Sequence, residues 1–260
     1  MRNLSLTLAL VVLLAAGFTS IGVAQDLVLY FNFEEGSGDT AMDGSGNGNH
    51  GTLMNGVART SGPMGGAVQF DGADDFIDAG NSDMFQIANN VTLEAWVNSE
   101  DAGPTQFACG TPFDDSAEWD DPWVGQQIGV RGGAMATWVS IAGVDREYDS
   151  GSIESGVWTH IAFTFDGDTA ISYVNGEEVA NNGDRDGETT YGGSPSFVVG
   201  VRSKEAMGEF FKGAIDEVAL WNGVRSPEQI QADMGGIEPG GAVEPESKLA
   251  TSWGNLKRGR

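Results

Sequence analysis

Apolar and polar residues alternate, one by one, along much of this 260-residue chain. Because successive side chains of a strand point to opposite faces of a sheet, this alternation predicts β-strands that are buried on one side. Six segments show it most clearly: residues 27–33, 91–97, 157–165, 170–174, 196–201 and 214–221. The pattern predicts an all-β protein.

The segment VTLEAWVN, residues 91–98, shows what the two faces of a strand carry. Val91, Leu93, Ala95 and Val97 share one face, and Thr92, Glu94, Trp96 and Asn98 share the other. The first set is apolar and belongs in a core. A face that mixes tryptophan with glutamate suits a sheet surface that is open to a ligand.

Turn residues separate the predicted strands. Asn175 and Gly176 lie between two alternating runs and predict a two-residue β-hairpin over residues 169–180, since both tolerate positive φ. One short helix is expected after Ser226, which can cap it, with Pro227 at its first position and Gly235 at its end. Together these elements predict a two-sheet antiparallel sandwich with one short C-terminal helix.

The two ends of the chain differ from the middle. Residues 1–24 combine Arg2, a short apolar run and small residues at Gly22 and Ala24, which is typical of a secretory signal peptide. Residues 25–234 are expected to form one domain, and residues 235–260 a flexible Gly/Pro/Glu-rich linker with a basic tail. No later segment is apolar enough to span a membrane, so we expect an extracellular or cell-surface protein.

The formal net charge of −25 makes nucleic acids and anionic membranes poor partners. The same charge suits divalent cations, cationic partners and neutral ligands such as glycans, and it also keeps a protein soluble. Cys109 is the only cysteine, so no disulfide can form within the chain. A large core or a bound metal must then supply the stability that disulfides give many secreted domains.

Five stretches, in order, resemble the laminin-G-like jelly-roll family in its secreted bacterial type, which is grouped with concanavalin A-like lectins and pentraxins. They are residues 27–53, with the loop DGSGNGNHG, 67–80, with AVQFDGADDFIDAG, 91–98, 157–179, and 211–230, with FKGAIDEVALWNGVRSPEQI. The resemblance implies a two-sheet jelly roll, often with calcium, used in sugar binding, in adhesion, or as an accessory module of hydrolases. It does not imply one function.

The best metal candidate is the loop 43–49, in which Asp43, Asn47 and Asn49 offer the hard oxygen ligands that calcium prefers. The resemblance also implies that Asp216 joins them, because the first and last strands of a jelly roll lie side by side. The alternative is that Asn and Gly serve only the turn. A second acidic stretch, Asp71, Asp74, Asp75 and Asp78, could also bind calcium or could simply face solvent.

Residues 101–123 form an acidic, proline-containing stretch between predicted strands. Tryptophan and tyrosine in loops can stack on sugar rings, so Trp119, Trp123 and Tyr148 are candidate ligand-binding residues. The alternative is that these rings fold inward as a small cluster.

An enzymatic function is not expected. Glycoside hydrolases of the laminarinase type place their acids as E-x-D-x-E or E-x-D-x-x-E along one strand. Glu118 and Asp120 supply the first half of such a motif, but Pro122 and Trp123 stand where the second glutamate should be. His50 and His160 have no surrounding catalytic motif and are expected to be structural.

These features together favour a secreted, non-catalytic binding module that recognises an extracellular carbohydrate or another cell-surface ligand with the help of structural calcium. The competing possibility is a structural or adhesive domain that docks other proteins. Glycoside hydrolysis of the laminarinase type is the weakest of the three. The sequence does not indicate the sugar, the partner or the oligomeric state.

Overall fold

The computed structural model describes residues 26–112, 124–183, 185–191, 196–203 and 208–238. Antiparallel strands dominate these residues, as the alternation predicts, with one 3-10 turn (Asp83–Phe85) and one α-helix, α1 (Pro227–Asp233). The strands are β1 (Asp26–Phe31), β2 (Thr40–Ala41), β3 (Gly51–Met54), β4 (Ala58–Gly62), β5 (Gly65–Asp71), β6 (Phe76–Asn81), β7 (Val91–Ser99), β8 (Gln106–Pro112), β9 (Val124–Arg131), β10 (Ala134–Ile141), β11 (Val144–Ser150), β12 (Thr159–Phe165), β13 (Ala170–Val174), β14 (Glu177–Asn182), β15 (Ser196–Val199) and β16 (Lys212–Asn222).

The strands form two sheets. Sheet A has the order β14-β13-β12-β7-β16-β5-β4, with β1 also paired to β16, and sheet B has the order β11-β10-β9-β8-β15-β6-β3-β2. The long strand β16 pairs with β7 on one side, and on its other side with β5 and then β1. The first and last strands therefore lie side by side, with Tyr30 opposite Ala219.

The hydrophobic core lies between the two sheets and is made by the faces that the alternation assigned to it. Val91, Leu93, Ala95 and Val97 are all buried there. Aromatic side chains from both sheets fill the space, among them Phe31, Phe70, Phe85, Phe163 and Phe197. Cys109 is also fully buried in this core, and burial raises the pKa of its thiol. The cysteine is therefore a packing residue.

Local signals placed two further elements correctly. Asn175 and Gly176 have φ of 51° and 76° and join β13 to β14 as a hairpin. Ser226 caps α1. Its hydroxyl accepts a hydrogen bond from Gln229 N, and the Gln229 side chain accepts one from Ser226 N. Among the described residues no helix is long and apolar enough to cross a membrane. The predicted signal peptide and most of the predicted tail lie outside the described residues.

Candidate functional site

Asp43 organises the loop that follows β2. Its Oδ1 accepts hydrogen bonds from the backbone N–H of Tyr30 at 3.0 Å and of Ser45 at 2.9 Å. Its Oδ2 accepts from the N–H of Asn49 at 2.9 Å and from the Ser45 hydroxyl at 2.8 Å. One carboxylate thus closes the loop and ties it to β1.

The same loop converges on a single backbone oxygen. The pairing of β1 with β16 is interrupted by a bulge at Val28, and the Val28 carbonyl lies within 3.1 Å of the Ser45 hydroxyl, 3.1 Å of Asn47 Nδ2 and 2.9 Å of Asn49 Nδ2. The two amide donors fill the two lone pairs of this carbonyl, and the single proton of the Ser45 hydroxyl can go either to it or to Asp43 Oδ2. If the two amides turned about their terminal bonds, their oxygens would stand beside those of Val28 and Asp43, an oxygen set of the kind that calcium takes.

Asp216 has a different environment from the Asp43 loop. Its Oδ1 accepts from Glu217 N at 2.8 Å, and its Oδ2 accepts from Met64 N at 3.4 Å, beside the β4–β5 hairpin. Tyr30 lies opposite Ala219, and the bulge in β16 leaves Asp216 two β7 positions from Ala219, so Asp216 stands roughly 7 Å along the sheet from Tyr30 and its bond to Asp43. Asp43, Asn47 and Asn49 are brought together as predicted, but Asp216 does not complete their site.

Asp216 lies instead on the outer face of sheet A, opposite Trp96. Trp96 is its cross-strand partner between β7 and β16, and Trp96 also lies opposite His160 on β12. Trp158 directly precedes β12, whose first residue, Thr159, lies opposite Val97, so its backbone lies near Asn98. Trp96, Asn98 and Trp158 are all half-buried. We call Trp96, Asn98, Trp158 and Asp216 the tryptophan face.

The carboxyl group of Asp216 is buried at the base of this face. Burial, and next the charge of Glu217, raise the pKa of Asp216 to about 7. The group therefore carries a proton for much of the time near neutrality and can donate as well as accept a hydrogen bond. Partly exposed indole rings beside a polar group and an amide can offer both stacking and hydrogen bonding to a ligand.

The other end of this face is closed, which corrects the expectation that Glu94 and Trp96 share one open surface. Glu94 is fully buried and accepts a hydrogen bond from Trp221 Nε1 at 2.7 Å, while its Oε2 lies 3.6 Å from His160 Nε2. Helix α1 covers this end, since Ile230 packs on Ala162 and Tyr173 of the same face. Burial raises the pKa of Glu94 to about 8 and lowers that of His160 to about 3.

The predicted aromatic candidates divide into two groups. Trp119 and Trp123 lie outside the described residues, as does the Glu118–Asp120 segment. Tyr148 lies opposite Thr137, whose hydroxyl is 3.4 Å from that of Ser172 in sheet A, so Tyr148 belongs to the inner side of sheet B. Its hydroxyl accepts from Arg185 Nε at 3.0 Å. Tyr148 therefore does not lie on an open face.

Sequence reasoning missed Trp158 and therefore the tryptophan face. The sequence did carry a signal, because Trp158 falls two residues before His160, at the same spacing that Glu94 and Trp96 have on β7. What was lacking was the register, in which His160 pairs with Trp96 and Asp216 pairs with Trp96 from the other side.

Two stacked antiparallel sheets, with a first strand paired to the last, define a jelly-roll sandwich of the lectin type. A family model described as the concanavalin A-like lectin/glucanases superfamily matches residues 71–231. The chain belongs to this family. Pappalysin-1 from Homo sapiens is 31% identical over 104 residues, and the mouse protein is 30% identical over 105. These matches cover 39% and 40% of this chain but only 6% of each pappalysin-1.

Solved structures show the same fold. Domain 4 of an extracellular arabinanase from Geobacillus stearothermophilus, solved in complex with arabinotriose, has a TM-score of 0.62 and 23% identity, covering 80% of this chain and 98% of that one. The binding domain of Paraclostridial Mosquitocidal Protein 1 has a TM-score of 0.61 and 12% identity, covering 80% and 51%. A sialidase from Trypanosoma rangeli has a TM-score of 0.55 and 14% identity, covering 80% and 32%.

Proposed function

We propose that this protein is a secreted, non-catalytic module that binds an extracellular carbohydrate on the tryptophan face. The observation that carries the proposal is that Trp96 and Trp158 both stay partly exposed near Asn98, where β7 pairs with the start of β12. Indole rings stack on the apolar faces of sugars, while an amide such as that of Asn98 can bond the hydroxyls. The similarity to an arabinanase domain solved with arabinotriose supports the same class of ligand.

The non-catalytic and secreted parts of the proposal rest on the sequence. The segment EWDDPW, residues 118–123, has proline and tryptophan where a laminarinase-type hydrolase needs its second acid. Residues 1–24 have the charge and hydrophobic pattern of a signal peptide. A glycan-binding module outside the cell fits both features and the strongly acidic composition.

Calcium has a structural role in this proposal. Asp43, Asn47 and Asn49, with the Val28 carbonyl, would hold the ion, and its charge would fix the loop to β1. The ion would lie beside Val28 and Tyr30 of β1, so we expect it to stabilise the fold and not to touch the sugar.

Binding of the full chain to a glycan array, followed by calorimetry with the best glycan, tests the carbohydrate proposal. We expect Trp96→Ala and Trp158→Ala each to weaken binding about tenfold or more, because stacking on each ring is lost. Val157→Ala is the matched control, since Val157 is 45% exposed next to Trp158 but offers no ring. Unchanged affinity in both tryptophan variants would contradict the proposal, and an array with no signal would favour the protein-docking alternative.

Thermal unfolding with calcium or a chelator tests the metal. An ion that binds only the folded chain raises the unfolding midpoint. We expect the calcium-dependent rise to be smaller in a variant with Asn47→Ala and Asn49→Ala than in the wild type. An equal rise in both proteins would show that this loop does not hold the ion.

A further inference from the structure

Three carboxylates meet at the turn between β5 and β6. Asp71 ends β5, Asp74 and Asp75 follow in the turn, and Phe76 begins β6. Each of the three acids offers an oxygen within 4.8 Å of the others. Asp71 and Asp74 are exposed, whereas Asp75 is only 4% exposed.

The buried member of the group has an oxygen without a partner. Asp75 Oδ2 accepts a hydrogen bond from Asp71 N at 3.0 Å, but Oδ1 is buried and has no hydrogen-bond partner. Burial, with the charges of Asp71 and Asp74, raises the pKa of Asp75. A buried carboxylate oxygen without a donor is costly, and native proteins usually pair it or give it a metal.

Among the described residues, the lysine opposite this group is paired with another acid. Lys212 lies opposite Asp71 on β16, but its ammonium group is 3.6 Å from Glu100. Gly56 approaches Asp75 Oδ1 so closely that a methyl group at position 56 would lie 3.3 Å from it. A small cation is better suited to this space than a protein side chain.

We propose that Asp71, Asp74 and Asp75 form a calcium site, with water completing the coordination shell. Calcium binds oxygens at about 2.3–2.6 Å, so ligands on opposite sides of the ion stand about 4.6–5.2 Å apart, and the observed group meets this limit. With three protein residues and an open side, the dissociation constant should lie near 0.1–1 mM, on the order seen for extracellular modules.

This site is separate from the Asp43 loop and from the tryptophan face. Its test must therefore measure calcium binding at residues 71–75 themselves. The experiment is a titration of the chelator-treated full chain with calcium chloride, followed by amide NMR. We expect saturable shifts at residues 71–75. Asp71→Asn and Asp75→Asn should each weaken calcium binding at these amides about tenfold or more.

Asp78→Asn is the matched control, because Asp78 lies in the same segment and its Oδ1 accepts from Gly80 N, outside the cluster. It should leave the titration at residues 71–75 unchanged. If Asp75→Asn does not fold, the exposed Asp71 and Asp74 provide variants that test the same site. The proposal is overturned if residues 71–75 do not shift up to about 10 mM calcium, or if Asp71→Asn and Asp74→Asn titrate like the wild type.

Discussion

The buried His160 makes the stability of this protein depend on pH. His160 is 1% exposed on β12, and burial lowers its pKa from 6.5 to about 3. Between these values the unfolded chain binds a proton that the folded chain does not, so stability falls as the pH falls below 6.5. The contribution of His160 is complete above pH 6.5 and is lost progressively toward pH 3.

The size of the effect follows from the pKa difference. Between pH 7 and pH 4 the histidine of the unfolded chain is titrated over about 2.5 pH units, at about 1.4 kcal/mol per unit. The loss is therefore about 3 kcal/mol, a large share of the 5–15 kcal/mol that is typical of a domain. Glu94, 3.6 Å away, acts in the opposite direction, since its raised pKa favours the folded state at lower pH and this contribution is lost as the pH rises toward 8.

Urea unfolding at pH 7 and pH 4 measures the contribution of His160 when the loss of stability between the two pH values is compared in the wild type and in variants. The wild type should lose about 3 kcal/mol more than His160→Gln between the two. Trp96→Phe is the control, because Trp96 packs on His160 with ring centroids 5.5 Å apart but carries no titratable proton. Equal losses in the wild type and in His160→Gln would mean that folded His160 becomes protonated, against the reasoning from burial.

Two further variants test the backbone of the fold. Gly110→Ala should lower the free energy of unfolding in urea by several kcal/mol, because φ is +147° and a Cβ would collide with the Gln126 carbonyl. Gly143→Ala, with open space around it, should cost only about 1 kcal/mol. Ser226→Ala removes the hydroxyl that accepts from Gln229 N, one half of the capping box of α1, and should cost about 1 kcal/mol, while Ser226→Asp should retain most of the stability. A loss below about 0.3 kcal/mol in Ser226→Ala would show that α1 is held by its packing alone.

Local sequence patterns were enough to predict the strands and their core faces, but not which parts of the outer face are covered. The alternation at Val91–Ser99 identified the core face correctly because a side chain's direction depends only on its position along a strand. The opposite face could not be assigned, because helix α1, more than 130 residues later, covers Glu94 and leaves Trp96 partly open. That contact depends on how distant segments meet.

The candidate sites show the same division. Asp43, Asn47 and Asn49 lie within seven residues of one another, so their convergence was readable from the loop itself. Deciding whether Asp216 joins this loop required the exact register of β1 against β16. The expectation that the two strands are neighbours did not fix that register. The buried Asp75 oxygen could not be predicted, since its burial depends on how the turn at residues 71–75 packs on distant segments such as the one that contains Gly56.

The position of β16 has a consequence for how the molecule assembles. Strand β16, residues 212–222, lies between β7 on one side and β1 and β5 on the other. These strands therefore cannot join into one sheet until almost the whole domain has been synthesised. A chain that stops before residue 212 would expose unpaired strand edges, which are templates for aggregation. Sheet A therefore cannot close before residues 212–222 are available, and with so many distant pairings its folding is slow, on the order of milliseconds to seconds.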